Sequence, residues 1–157
     1  MSDPSSQREI WEIIERERLV ALLDHDVTTL DEPSNFDEAW ARTLFTEDVR
    51  LEHEIAVFEG IVEVAAAHRM VMTRWERTFH FSTNHRVEFD GEDAHLTGRL
   101  MAIHVHPGEN PPSPLIAANR LDADAVRTNK EWRFDRFAPH TLWRTGQSAA
   151  ETDRNEV

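Results

Sequence analysis

Cysteine and tyrosine are absent from this 157-residue chain, and its only lysine is Lys130. Without cysteine there is neither a disulfide framework nor a thiolate metal site, and the chain suits a reducing cytoplasm. Basic charge is scarce as well: 17 Lys and Arg stand against 30 Asp and Glu, a formal charge of -13. A nucleic-acid partner needs a basic footprint that releases counterions, so nucleic acid is not an expected partner, and anionic membrane surfaces are disfavoured for the same reason. Residues 1–30 carry acids throughout and lack the basic start and apolar block of a signal peptide; no run is long enough to span a bilayer. A soluble, cytoplasmic protein is the expectation.

The chain does have enough apolar residues, 39%, to fill one core. One domain is expected over residues 1–145, followed by a polar, acidic tail over 146–157 with nothing to pack, expected to be disordered. The stretch "SQREIWEIIERERLVALLDHDV" opens with Ser6 and Glu9 in capping-box spacing and repeats apolar residues at helical period. Asp31 follows among turn residues, and Asn35 with Glu38 caps a second helix carrying Phe36, Trp40 and Leu44. "VRLEHEIAVFEG" alternates, with Val49, Leu51, His53, Ile55 and Val57 on one side, and reads as one half-buried strand. "IVEVAAAHRMVMTRW" returns to helical spacing. Strands follow at roughly 80–89, 94–106, 114–126 and 131–143, with Asp90-Gly91 placed for a hairpin. Three helices against one curved antiparallel sheet make an α+β domain whose concave face must be filled by side chains or by a ligand.

Reading the strands by parity isolates polar residues on apolar faces. His53 sits among Val49, Leu51 and Ile55; His104 ends a face made of Ala94, Leu96, Gly98, Leu100 and Ala102. Asn119 lies between Ala117 and Leu121, and Arg136 and His140 share a side with Phe134, Ala138 and Leu142. Any one of these could be a satisfied core residue, because buried polar groups find partners. Several converging from different strands describe a small-molecule site. By parity His80 and Asn84 share a side with Ser82, Arg86 and Glu88, which reads as an exposed face.

The stretch "IHVHPGEN" (103–110) invites a metal reading, since Gly98, His104, His106 and Glu109 resemble the first half of a cupin motif. The glutamate stands behind a Pro-Gly break, however, and no second glycine-rich half with a third histidine follows. No metal is therefore expected. His104 would face the concavity, while His106 at the rim is solvated or caps the loop.

Over residues 8–146 the element order, with "LFTEDVRLEH" (44–53), "HFSTNHRVEFDGEDA" (80–94) and "EWRFDRFAPHTLWRTG" (131–146), resembles the SnoaL-like, nuclear-transport-factor-2-like superfamily. The resemblance implies a cone-shaped α+β barrel enclosing a pocket, no cofactor, and a homodimer formed through the outer face of the sheet. The spacing is most similar to scytalone dehydratase, whose aspartate and histidine form an acid-base dyad. Asp31 and His80 fall at those places, Asn119 at that of a pocket asparagine, and His53 at that of a water-orienting tyrosine. With no tyrosine anywhere, the dehydratase's own substrate is not expected. The implied function is cofactor-independent acid-base catalysis (cyclase, dehydratase or isomerase) on a hydrophobic oxygenated small molecule such as a polyketide-type intermediate. His80 would be base and acid, made more basic by Asp31, with Asn119 and His53 polarising an oxygen. His104, Arg136 and His140 would contact substrate, and Leu23, Val27, Trp40 and Met70 would form an apolar wall. The alternatives are a pericyclase-like or epoxide-opening cyclase of the same fold, or a non-catalytic small-molecule-binding protein.

Overall fold

The computed structural model describes residues 3–32 and 34–148. Helix α1 (Pro4–Asp31) starts earlier than the capping-box spacing suggests: Asp3 is its N-cap, accepting from the Ser5 amide at 3.3 Å, and Pro4 occupies the first turn, where its missing N–H costs nothing. The helix runs 28 residues, so Asp31 is its last residue rather than a turn residue. Leu19, Leu23, Asp26 and Val27 lie along its buried stripe. Buried Glu15, one turn earlier, is held by Trp132 Nε1 at 2.7 Å and by Arg18 at 2.8 Å. The short α2 (Glu38–Arg42) is capped by Asp37, not Asn35, through the Trp40 amide at 2.8 Å. The stretch read as one strand is a hairpin, β1 (Phe45–His53) and β2 (Ala56–Glu59), before α3 (Gly60–Met72).

Strands β3 (Arg77–Asp90), β4 (Asp93–Val105), β5 (Leu115–Thr128) and β6 (Glu131–Thr145) form an antiparallel meander. Gly91 at φ 62 turns β3 into β4; Asn129 and Lys130, at φ 50 and 68, supply the paired positive φ values that suit a tight two-residue hairpin. The sheet order is β2-β1-β6-β5-β4-β3, and β1 runs parallel to β6, so the six-stranded sheet is mixed rather than antiparallel, and it is not closed. Helix α1 lies against β3 and α3 against β1, covering the two halves of the concave face. Leu19, Leu23, Leu44, Phe45, Val49, Leu96, Leu121 and Phe134 fill the core between them. No described helix is long and apolar enough to cross a membrane.

Two irregularities decide which side chains face inward. On β3 the register slips between Thr83 and Arg86, where Asn84 takes φ 57. One extra residue reverses the parity: His80 and Ser82 pair with Ala102 and Leu100, whereas beyond the bulge Val87 and Phe89 pair with Leu96 and Ala94. Arg86 and Glu88 therefore point outward while His80 points in, which removes the conflict that made this strand read as exposed. On β6 the slip at Asp135 has the opposite result for the candidates beyond it. Trp132 and Phe134 face the core, then Phe137 does, so Arg136 and His140 fall on the outer face. There Arg136 binds Asp122 at 2.6 Å, Asp124 at 3.2 Å and Glu52 at 3.2 Å, and His140 lies opposite Arg120. Neither is a pocket residue.

Residues 146–148, placed by sequence in a disordered tail, are described: the Gln147 amide donates to Ser113 O at 3.4 Å. The rest of that tail, residues 149–157, lies outside the described residues.

Candidate active site

The C-terminal turn of α1 places Asp31 against the start of β3. Asp31 Oδ1 accepts from His80 Nδ1 at 2.6 Å, and Oδ2 accepts from the His80 backbone N–H at 2.7 Å. The Thr78 hydroxyl, 2.8 Å from Oδ1, adds a third donor. Because an ionised carboxylate only accepts, Nδ1 of His80 carries the proton and Nε2 presents a bare lone pair. The side chain of His80 is only 5% exposed. That burial lowers the imidazole pKa below its ordinary value, although the Asp31 hydrogen bond and charge push it up. Asp31 makes the imidazole more basic than burial alone would leave it, but burial is the larger influence and the ring stays neutral at pH 7.

The inner faces of β4 and β3 bring His104 to this pair, with ring centroids of His80 and His104 5.1 Å apart and edge to face. Trp75, just after α3, stacks on His104 at 4.8 Å and meets His106 edge-on at 4.8 Å. Burial lowers the His104 pKa to about 4, and its Nδ1 has no hydrogen-bond partner among the described residues. His106 is not solvated. It is buried, with Nε2 2.8 Å from Gln147 O, and so fastens the segment after β6.

Asn119 is buried next to Leu100 and Thr141. Its Oδ1 accepts from the Thr141 hydroxyl at 2.9 Å, and its Nδ2 donates to Leu100 O at 3.3 Å. The opposite wall is α3, where the helical phase of Ile61, Val64, Ala65 and Met72 turns His68 inward. His68 Nδ1 lies 2.8 Å from Val64 O, and its ring packs edge-to-face on Trp40 at 4.8 Å. Met70, two residues on, faces out and is 49% exposed, so it is not part of the wall. Trp40 is fixed by a hydrogen bond from Nε1 to Thr29 Oγ1 at 3.0 Å. Among the described residues no three His, Cys, Asp or Glu side chains are grouped to hold a metal ion.

The SnoaL-like domain family matches residues 11–138. The chain belongs to the SnoaL-like family. Comparison with curated proteins finds no match. Among solved structures, the Kfla4162 protein from Kribbella flavida is similar at TM-score 0.79 and 19% identity, covering 90% of this chain and 99% of that one. A candidate scytalone dehydratase from Novosphingobium aromaticivorans is similar at TM-score 0.77 and 21% identity, covering 87% and 90%. A hexachlorocyclohexane dehydrochlorinase (LinA) follows at TM-score 0.75 and 15% identity, covering 89% and 93%. At these identities the likeness is one of fold.

Within the SnoaL-like frame, the structure brings together Asp31, His80 and His104, with Asn119 in the same interior layer and Leu23 and Val27 buried. His53 is exposed at the end of β1, on its inward parity. Sequence reasoning missed Thr78, Trp75 and His68. Thr78 shares the parity of His80, and His68 follows Ile61 and Val64 at helical spacing, so both had a periodic signal. Trp75 lies in a turn and had none.

Proposed function

We propose that the protein is a cofactor-independent enzyme in which the Asp31–His80 pair moves a proton on a hydrophobic oxygenated small molecule. One observation carries this: a neutral, buried imidazole fixed at both its backbone and Nδ1 by one carboxylate, at 2.7 and 2.6 Å. His80 Nε2 takes a proton from carbon next to a carbonyl, and the resulting imidazolium, stabilised by Asp31, returns it to a departing hydroxyl so that water leaves. Asn119 Nδ2, whose backbone bonds are long, supplies a donor to the developing oxyanion, and His53 at the mouth contacts the substrate. Leu23, Val27 and Trp40 provide apolar surface. The names of two structural relatives, a dehydratase and a dehydrochlorinase, denote loss of water and of hydrogen chloride, and so favour elimination over other proton transfers.

The test is turnover of β-hydroxy ketones of polyketide type, followed by appearance of the conjugated enone. Wild type should convert them, and folded His80→Ala should be slower by roughly 10²- to 10⁴-fold. Full turnover in that variant contradicts the mechanism. A non-catalytic binding protein would show no turnover and would keep its ligand affinity in the double Asp31, His80 variant.

The homodimer belongs to the same reading. Phe79, Phe81 and Trp143 are 58%, 43% and 53% exposed on the outer face of the sheet, beside Met101, Ile103 and Ile116 in register. A contiguous apolar patch of this kind marks an association surface.

A further inference from the structure

We infer that His68 is the hydrogen-bond acceptor that recognises a hydroxyl group of the substrate, from the wall facing the Asp31–His80 pair. The inference rests on the acid-base reading above and narrows its substrate class to hydroxylated, ring-containing molecules.

The geometry begins with a fixed tautomer. Val64 O can only accept, so the 2.8 Å contact requires the proton on His68 Nδ1. A neutral ring protonated there has a bare Nε2, an acceptor with no donor function. No described residue donates to that nitrogen, although the ring is otherwise enclosed by Trp40 at 4.8 Å and Phe45 at 6.1 Å. The side chain is only partly buried, and this lone pair is not sealed in the packed core but opens on space that a ligand can enter. Burial holds the ring neutral, lowering its pKa to about 4, and nearby His53 and His80 push in the same direction. Geometry joins His68 to the pair: Trp40, which packs on His68, is bonded to Thr29 two residues before Asp31, and Trp75, three residues beyond the end of α3, stacks on His104. An acceptor between aromatic edges suits a phenol or an enol better than an anion, which a bare lone pair repels, or an ether, which has no proton to give.

The test uses 2-naphthol and 2-methoxynaphthalene, which share a ring system and differ in the donor. Calorimetric titration of wild type should show the naphthol binding about tenfold more tightly. His68→Phe, which keeps the ring and its contacts, should bring the two affinities within about twofold, while His80→Ala should keep the preference. As a second measurement, the ¹⁵N resonance of His68 Nε2 in wild type should move on adding the naphthol and not on adding the ether. Equal affinities in wild type, no binding of either probe, a preference lost in His80→Ala instead of His68→Phe, or an unmoved resonance each overturn the inference. Failure of the dyad reading is distinct: it shows as full turnover in His80→Ala, whatever the probe preference.

Discussion

A single buried group can be followed through its charge. His80 carries a pKa lowered by burial, so turnover should rise with pH through an apparent pKa below 6.5 and be flat near neutrality, which a pH–rate profile checks. His68 and His104, both lowered to about 4, bind protons less readily folded than unfolded. Between pH 6.5 and 4 the unfolded chain therefore holds more protons from these two, and they make stability fall as pH falls. Asp26 acts in the other direction. It is buried on α1 with Oδ1 unpartnered, and burial raises its pKa to about 7. Its contribution is present at low pH and is lost as pH rises through 7, because burying the ionised carboxylate costs free energy. Asp26→Asn should accordingly stabilise the protein by a few kcal/mol at pH 8 and change little at pH 4, as read by urea denaturation. Equal effects at the two pH values would contradict the assignment.

Elements are aimed by their irregularities. The bulge at Asn84 lets one strand present His80 at its start and Val87 and Phe89 farther on, to the same interior. Asn84→Val should cost about 1–2 kcal/mol in thermal or chemical denaturation, because a β-branched residue resists the left-handed conformation at φ 57, whereas Asn84→Gly should cost little. The end of β6 is fixed in another way. At Gly146, with φ 86, an added Cβ would lie 1.9 Å from Pro114 O. Gly146→Ala should therefore release Gln147 from His106 and increase amide exchange at Gln147 without affecting the Asp31–His80 contact. Most of the elements were legible in the sequence because hydrophobic period survives in every long segment: α1, α3 and all four meander strands lie where the pattern put them, give or take a few residues. The parity of β3 and β6 was not legible beyond their bulges. A single extra residue exchanges inside for outside, and nothing in "FDRF" or "TNHR" announces it. That is why Arg136 and His140 read as pocket residues and His80 read as exposed.

Across the whole molecule, the candidate site and an exposed apolar patch occupy opposite faces of one sheet. The concave side holds Asp31, His80, His104 and His68, while the convex side carries the apolar patch around Phe81 and Trp143. Sedimentation should show a dimer that Phe81→Glu converts to monomer; a monomeric wild type would contradict the pairing. The dyad was anticipated only through the resemblance to scytalone dehydratase, since by pattern alone Asp31 reads as a turn residue and His80 as exposed. His68 was hidden inside a helix whose period explains it equally well as core. The proposed chemistry turns on Asp31 holding His80 as a neutral base with a bare Nε2. A ¹⁵N NMR titration of His80 in wild type and Asp31→Asn tests it most directly. The expected result is an Nδ1–H tautomer at pH 7, a pKa below 6.5, and a further fall in the variant as the supporting charge is lost. An Nε2–H tautomer, a protonated ring at pH 7, or a pKa indifferent to the substitution would contradict it.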